Sequence, residues 1–567
     1  MKRSSKEELE VKRNHKYRII PRRIVQGMAA AALCSGAAHA FEIPTGNENL
    51  NVRWDNTVKY NAGWRIDERD RKLGDSWGMQ GGEHRFDRGD MVTNRVDLLS
   101  EFDFIYNKYN GFRVSGAAWY DAAYDRDVEG NPAYQRAGLG TAFPRNRLTD
   151  SVARWYTSSG EILDAFVFGR LELAGRPIDM KAGRHTVYWG ESLFSPIHGV
   201  SYSQGPVDFR KALATPGSEA KELFLPLNQL SFAAQVTDKL SIAGQYFLEW
   251  KPYRLAEGST YFNTFDPLFQ RGTNYLGIPY RGNLKSGPDE IPDDTGSWGV
   301  NAKLATDHGT FGVYYRRFDD KIPAVLSTGG TFGELHNAYA KDVKLIGVSM
   351  STLVGGTAIG AEIVHRKDTA LNTAFGSPEI ARGDTWHALA NAIAYIGKTA
   401  VFDSATLLAE VTYSRLQSLD SKTKAFYAGV GHACADPFGG RGGRDDGCST
   451  RDAWGVGMTF TPTWFSALPQ TDITMPIHFD TGISGNSPVP AGGNEGNGSW
   501  SLGVGFDYQA RYKLDIAYTD YFGSYNKGPN PLAFVPGISP VVMGTASGGM
   551  APLHDRGWLS VTFKTTF

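Results

Sequence analysis

The chain has 567 residues with 59 basic and 60 acidic side chains, a mean hydropathy of −0.34 and 3 cysteines. Glycine is abundant at 66 and aromatics make up 12%, a composition that excludes a disordered chain and a disulfide scaffold. No run of 18 apolar residues lies beyond the first forty, which excludes a bundle of membrane-crossing helices but not a membrane barrel, whose alternating strands average to a polar score.

Residues 1–26 are basic, with Lys2, Arg3, Lys6, Lys12, Arg13, Lys16, Arg18, Arg22 and Arg23. A short apolar stretch from Gly27 to Ala40 follows and ends in Ala38-His39-Ala40, the pattern of a cleaved secretory signal. The expected mature chain begins at Phe41. Without the 9 basic and 3 acidic residues of the leader it carries 50 basic and 57 acidic ones, net −7. That balance speaks against nucleic acid as a partner, since binding it needs basic patches.

From residue 50 onward the pattern has a period of two. In Leu50–Arg65 one face reads Leu50, Val52, Trp54, Asn56, Val58, Tyr60, Ala62 and Trp64. The other is polar, from Asn51 and Arg53 to Arg65. This is a strand with one apolar face, far longer than the usual ~5–6 residues. Similar strands are predicted near 92–107, 110–123, 161–173, 176–190, 227–237, 239–251, 296–306, 309–319, 342–353, 356–366, 384–396, 399–415, 451–462, 470–484, 498–511, 512–523 and 555–567. The links after even strands are short and those after odd strands are long. Such segregation matches a transmembrane antiparallel β-barrel of the bacterial outer membrane, with short periplasmic turns and long outer loops. The count is about eighteen strands, with sixteen as the alternative. Lipid offers no partner to backbone groups, so the sheet must close on itself. Trp54, Trp64, Tyr106, Trp119, Trp189, Trp250, Trp298 and Trp500 fall near strand ends, where interfacial girdles are expected.

The last strand puts Leu559, Val561, Phe563, Thr565 and Phe567 on one face. A terminal aromatic behind period-two residues resembles the signal read by the barrel-assembly machinery, with Phe563 and Phe567 as its aromatic elements.

Gly183-Arg184-His185-Thr186-Val187-Tyr188-Trp189-Gly190-Glu191-Ser192 is followed by Pro206-Val207-Asp208 and Pro216-Gly217-Ser218-Glu219-Ala220-Lys221-Glu222. Further on come Gln245-Tyr246-Phe247-Leu248-Glu249-Trp250 and Pro462-Thr463-Trp464. This order resembles the outer-membrane family catalogued as domain of unknown function 1302, over roughly 45–567. His185 departs from it, Gln being usual there. The resemblance implies an outer-membrane barrel. It also implies traffic of a small hydrophobic or lipid-like molecule, with a companion lipoprotein and an inner-membrane exporter of the resistance-nodulation-division type as partners. It supplies no catalytic motif and no cofactor.

Cys434 and Cys448 remain after processing, 14 apart in a Gly-rich loop, and are expected to pair in an oxidising compartment. Asp125–Asn131 begins like a calcium loop but has Arg136 where a bidentate Glu is required, and reads as a solvated outer loop. Gly74-Asp75-Ser76-Trp77-Gly78 has nucleophile-elbow spacing but falls in a loop, and His185, Ser192, His198 and Ser201 lie in no such elbow. No enzyme is predicted, and no metal. Segment 191–226 is too long and, at Leu223-Phe224-Leu225-Pro226, too apolar for a plain outer loop. It is predicted to enter the barrel, with 219–224 as a short helix and with Arg184, Glu191, Asp208, Arg210, Glu219 and Glu222 forming a charged lumen constriction. Arg184 is assigned inward because a guanidinium at the lipid midplane costs about 2–4 kcal/mol. Three function classes remain: a transport barrel for a small hydrophobic molecule, a general hydrophilic porin, and a non-conducting adaptor.

Overall fold

A computed structural model describes residues 41–567 apart from 77, 79, 138–146, 219, 265–276, 279–281, 284, 330–332, 436–439 and 545–548. The proposed leader at 1–40 lies outside the described residues. Eighteen strands form the wall. In chain order they are β1 (Leu50–Arg65), β2 (Met91–Tyr106), β3 (Asn110–Asp121), β4 (Ser158–Leu173), β5 (Arg176–His185) and β6 (Leu227–Gln235). Next come β7 (Leu240–Phe247), β8 (Trp298–Thr306), β9 (Gly309–Phe318), β10 (Val343–Val354), β11 (Thr357–Ala370) and β12 (Arg382–Ile396). The wall is completed by β13 (Ser404–Leu419), β14 (Asp452–Leu468), β15 (Thr471–Thr474 resuming as Ile477–Ser484), β16 (Gly498–Tyr508), β17 (Tyr512–Phe522) and β18 (Trp558–Thr566). Every strand read from the alternation is present, with ends displaced by at most six residues.

Each strand pairs antiparallel with its neighbour in sequence, and β18 pairs with β1 from Thr57↔Thr566 to Arg65↔Trp558, which closes the ring. Below that seam β1 has a second partner. Phe41–Ile43 runs along Val52–Trp54, and Asn56 exchanges backbone hydrogen bonds of 2.7 and 2.8 Å with Phe567. Phe41–Ile43 and Phe567 thus share one strand. Closure leaves no strand edge among the wall strands, as a membrane wall requires.

Burial follows the period of two. Val343, Leu345, Gly347 and Ser349 of β10 are buried inside, while Lys344, Ile346 and Val348 are exposed outside. The exposed apolar residues Val167, Leu230, Val313, Ile346, Ile363 and Ile483 come from strands all round the ring, giving the wall its lipid-facing character. No helix of the described residues is long and apolar enough to cross a membrane. Of the tryptophans expected at the interfaces, Trp54 and Trp500 are exposed on the outside. Trp119, Trp189 and Trp250 instead point inward, at 6%, 8% and 7% exposure, against segments that fill the lumen. Alternation says which residues share a face, but an aromatic at a strand end serves a girdle or a core equally well.

Cys434 and Cys448 are bonded, with Cα atoms 5.7 Å apart. In the chain-entropy description, closing a loop of about 15 residues contributes roughly 3 kcal/mol.

The seam generates a prediction. Deleting Phe567 removes the two bonds to Asn56 and the terminal aromatic while leaving the rest of β18 paired. Outer-membrane abundance of the truncated protein is expected to fall several-fold with export unchanged, measured by fractionation and by heat-modifiable electrophoretic mobility.

Candidate functional site

β5 stops at His185 rather than near 190. Gly183 adopts a φ of +119°, and the His185 ring hydrogen-bonds the Gly183 carbonyl and the Ser231 hydroxyl. Beyond it the chain leaves the wall and runs along inward-facing side chains until β6. Two one-turn helices mark its course, Phe209–Ala214 and Ala220–Leu223.

A loop inside a barrel has no ladder to satisfy its backbone, and each unpaired buried amide costs free energy. Two wall carboxylates supply the acceptors. Glu362 of β11 accepts from the amides of Glu191, Ser192 (3.2 Å) and Val200 (2.5 Å). Glu410 of β13 accepts from those of Leu193 (2.7 Å), Phe194 (3.2 Å) and Ser195 (2.8 Å). Both glutamates are 2% exposed. The carbonyls are served by cations and amides. Arg316 donates to Val200 (2.8 Å) and Tyr202 (2.6 Å), and Asn391 donates to Glu191 (2.5 Å). Arg366 lies 4.0 Å from the Tyr202 ring and donates to His387, whose Nδ1 is 3.1 Å from that of His198. Asp320 accepts from the Tyr202 and Ser203 hydroxyls at 2.5 and 2.7 Å.

Around this clamp Trp189, Ile197, Val200, Tyr202, Tyr314 and Leu345 are among the members of an apolar cluster in which each residue is at most 8% exposed. The other half of the segment is held by charge. Asp208 takes Arg254 at 3.0 Å and Arg210 at 3.4 Å, and it caps the helix through the Lys211 amide at 3.1 Å. Arg254 also meets Glu161, and both guanidiniums lie over Trp155, at 4.1 and 4.6 Å. Glu222 pairs with Lys59 of β1 at 3.2 Å, and Lys221 with Glu101 of β2. Glu191 lies against the β10–β12 wall, its carboxylate 3.5 Å from the Ser349 hydroxyl. Glu219 lies outside the described residues.

Arg184 differs from its expected place. Its cross-strand partners are Ala165 and Asn228, and it shares the outer face with the exposed Met180 and Leu230. It does not meet Asp208; its carboxylate is Glu249, at 4.0 Å. His185 and Lys181, on the other face of β5, point inward with Gln229 and Ser231. The cost of a charge on a barrel wall falls to about 0–1 kcal/mol near the interfaces, and Arg184 sits one residue from the outer end of β5. The midplane penalty used to orient it does not apply there.

The inserted segment does not fill the whole section. His478 and Asp480 of β15 face inward, 3.3 Å apart, with side chains 32% and 36% exposed. From its anchor on Glu410 of β13 the Phe194 ring lies along the neighbouring wall, 5.7 Å from His478 and over Gly457 of β14, where a Cβ would lie 3.1 Å from it. Phe194 packs edge-on against His478, and beside it the side chains of His478 and Asp480 stay about one third exposed. Phe194, Glu362 and Glu410 carry no local sequence signal; a glutamate on an otherwise alternating strand marks only an inward position.

At the outer mouth the loop residue Glu83 is buried between Arg556 (2.6 Å) and Arg65 (3.0 Å). Burial raises its carboxyl pKa, but the two guanidiniums outweigh burial and bring it to about 2. Asp555 beside it is pushed up to about 8 by burial and by the Glu83 charge.

A closed, lipid-faced barrel with a segment clamped inside its lumen is a membrane barrel of the outer-membrane type. The chain matches over residues 23–567 the family described as protein of unknown function (DUF1302), and it belongs to that family. No curated protein matches it in sequence. Among solved structures it is similar to OccAB2 of Acinetobacter baumannii, at 10% identity and a TM-score of 0.40, covering 94% of this chain and 99% of that one. It is similar also to OpdK of Pseudomonas aeruginosa with vanillate, at 8% identity and a TM-score of 0.37, covering 91% and 98%. The outer membrane channel DcaP of Acinetobacter baumannii shows 8% identity and a TM-score of 0.35, covering 94% and 100%. The barrel assignment rests on the closed ring of backbone pairs and not on these likenesses.

Two predictions follow from the clamp and the mouth. Glu410→Ala leaves three partly buried amides without their acceptor, each bond to a charged group being worth about 1.5–3 kcal/mol. Segment 191–200 is expected to become protease-sensitive in the folded barrel, read by limited proteolysis, while the wall keeps its heat-modifiable mobility. For Glu83 the folded pKa lies below the ordinary 4.5, so its stabilisation is present above pH 4.5 and is lost as pH falls toward 2. Glu83→Gln should lower stability at pH 7 and flatten the acid limb of a denaturation-against-pH profile.

Proposed function

We propose that the protein is a channel of the outer membrane that passes small solutes along the β14–β17 side of its lumen, past Phe194. The observation that carries this reading is the asymmetry of the interior. The segment is fixed to β10–β13 by Glu362 and Glu410, and the polar pair His478 and Asp480 on β15, two strands beyond β13, stays accessible. The apolar cluster inside is packed too tightly to serve as a cargo surface; it is the core that holds the segment. A polar or amphiphilic solute small enough to pass one phenyl ring suits this passage best. No catalytic step is part of the reading.

A second reading is transport of a hydrophobic or lipid-like molecule with a periplasmic lipoprotein and an inner-membrane resistance-nodulation-division exporter. It is favoured by the size of the inserted segment, since a plain pore has no need of so large an internal core. Delivery to the membrane by the barrel-assembly machinery suits either reading.

Planar-bilayer recording separates them. A small ohmic conductance is expected for the wild type, with a rise of about twofold or more for Phe194→Ala. A barrel that inserts but conducts no current, with or without that substitution, would refute the channel.

A further inference from the structure

On the outer face of β4–β8 the wall carries a depression of about 540 Å³. Its floor is made by small residues, each of which the register sets opposite a large one: Gly169 pairs with Met180, Ala182 with Val167, and Gly244 with Phe232. Val167, Met180, Leu230 and Phe232 stand up around it, all exposed. Phe232 lies across Gly244 so closely that a Cβ there would sit 2.5 Å from its ring. The hollow is therefore built into the strand pairing and does not depend on one mobile side chain.

Directly above it, two residues or about 7 Å toward the outer rim along β5, Arg184 shares the same face. Its Nε is buried and has no hydrogen-bond partner among the described residues. Lys251 joins it through the shared carboxylate Glu249, so two cations stand against one anion. Asn228, also outward at this level, gives its backbone amide to the same Glu249 and leaves its side chain at the rim.

An apolar hollow at acyl-chain depth beneath a cationic pair at headgroup depth defines an amphiphile with an anionic head. The long loops set this rim in the outer leaflet. We propose that the β4–β8 face binds a phosphorylated glycolipid of the outer leaflet, of the lipid A class, with an acyl chain in the hollow and a phosphate on Arg184 and Lys251. The proposal rests on the outer-membrane placement of the barrel and is independent of what the lumen conducts. Arg184 then has a reason to stand outside: it completes a lipid site rather than a lumen network.

The test uses the full mature protein, delipidated in mild detergent, with thermal melting followed as lipid A or phosphatidylethanolamine is added. Lipid A is expected to raise the melting temperature by several degrees, and phosphatidylethanolamine to leave it within a degree. Arg184→Gln with Lys251→Gln should abolish most of the lipid A shift. Ala182→Phe, which fills the floor without touching a charge, should reduce it independently and covers the case in which the charge variant folds poorly. Equal shifts from both lipids, or a lipid A shift that survives both variants, would overturn the proposal. Reconstitution into liposomes, read by protease protection, reports membrane insertion separately, so failure of the placement is distinguished from failure of the site.

Discussion

Backbone pairing in a place without water governs this molecule twice. In the wall, lipid leaves an amide or carbonyl no partner outside the sheet, so eighteen strands close and β18 meets β1. In the lumen the same demand falls on a segment with no strand beside it, and Glu362 and Glu410 between them accept six amides. An ionised carboxylate has several lone-pair sites and no donor, which suits it to gather consecutive N–H groups. Arg316 serves the carbonyls for the converse reason.

This division of labour explains why the interior is both charged and apolar. Buried charges are costly unless paired or hydrogen-bonded. Here they are spent on backbone groups near β10–β13 and on one another near β1–β4, as in Asp208 with Arg254 and Glu222 with Lys59. Between these anchors the apolar cluster around Tyr202 and Leu345 supplies ordinary packing. What remains accessible lies on β15, two strands beyond β13, where Phe194 meets His478.

The wall was legible because a period of two survives any number of loop residues, and because loop lengths separate by side. Boundaries drifted where the chain leaves the wall inside an alternating stretch, as after His185, where β5 ends early. The even cysteine count also sufficed for Cys434 and Cys448. The interior was read less well. Charged residues in 191–226 could be singled out, yet their partners sit on strands as far away in sequence as Glu362 and Glu410, where a lone acidic residue says only "inward". Arg184 was misplaced because a midplane energy was applied to a rim position; depth along a strand has to be settled before a charge is costed.

The seam has a consequence for how the barrel comes into being. Thr57 and Thr566 touch although 509 residues separate them, and the same strand also holds Phe41–Ile43 and Phe567. Every other wall pairing can form between neighbours in sequence, but this one must wait until β18 has been made. Its loop-closure entropy grows only slowly with length, so the delay is one of search and ordering more than of equilibrium cost. Until then β1 and β18 are two open edges, the most aggregation-prone surfaces the chain ever presents. A catalyst that grips the final strand would therefore act on the one step the chain performs worst unaided.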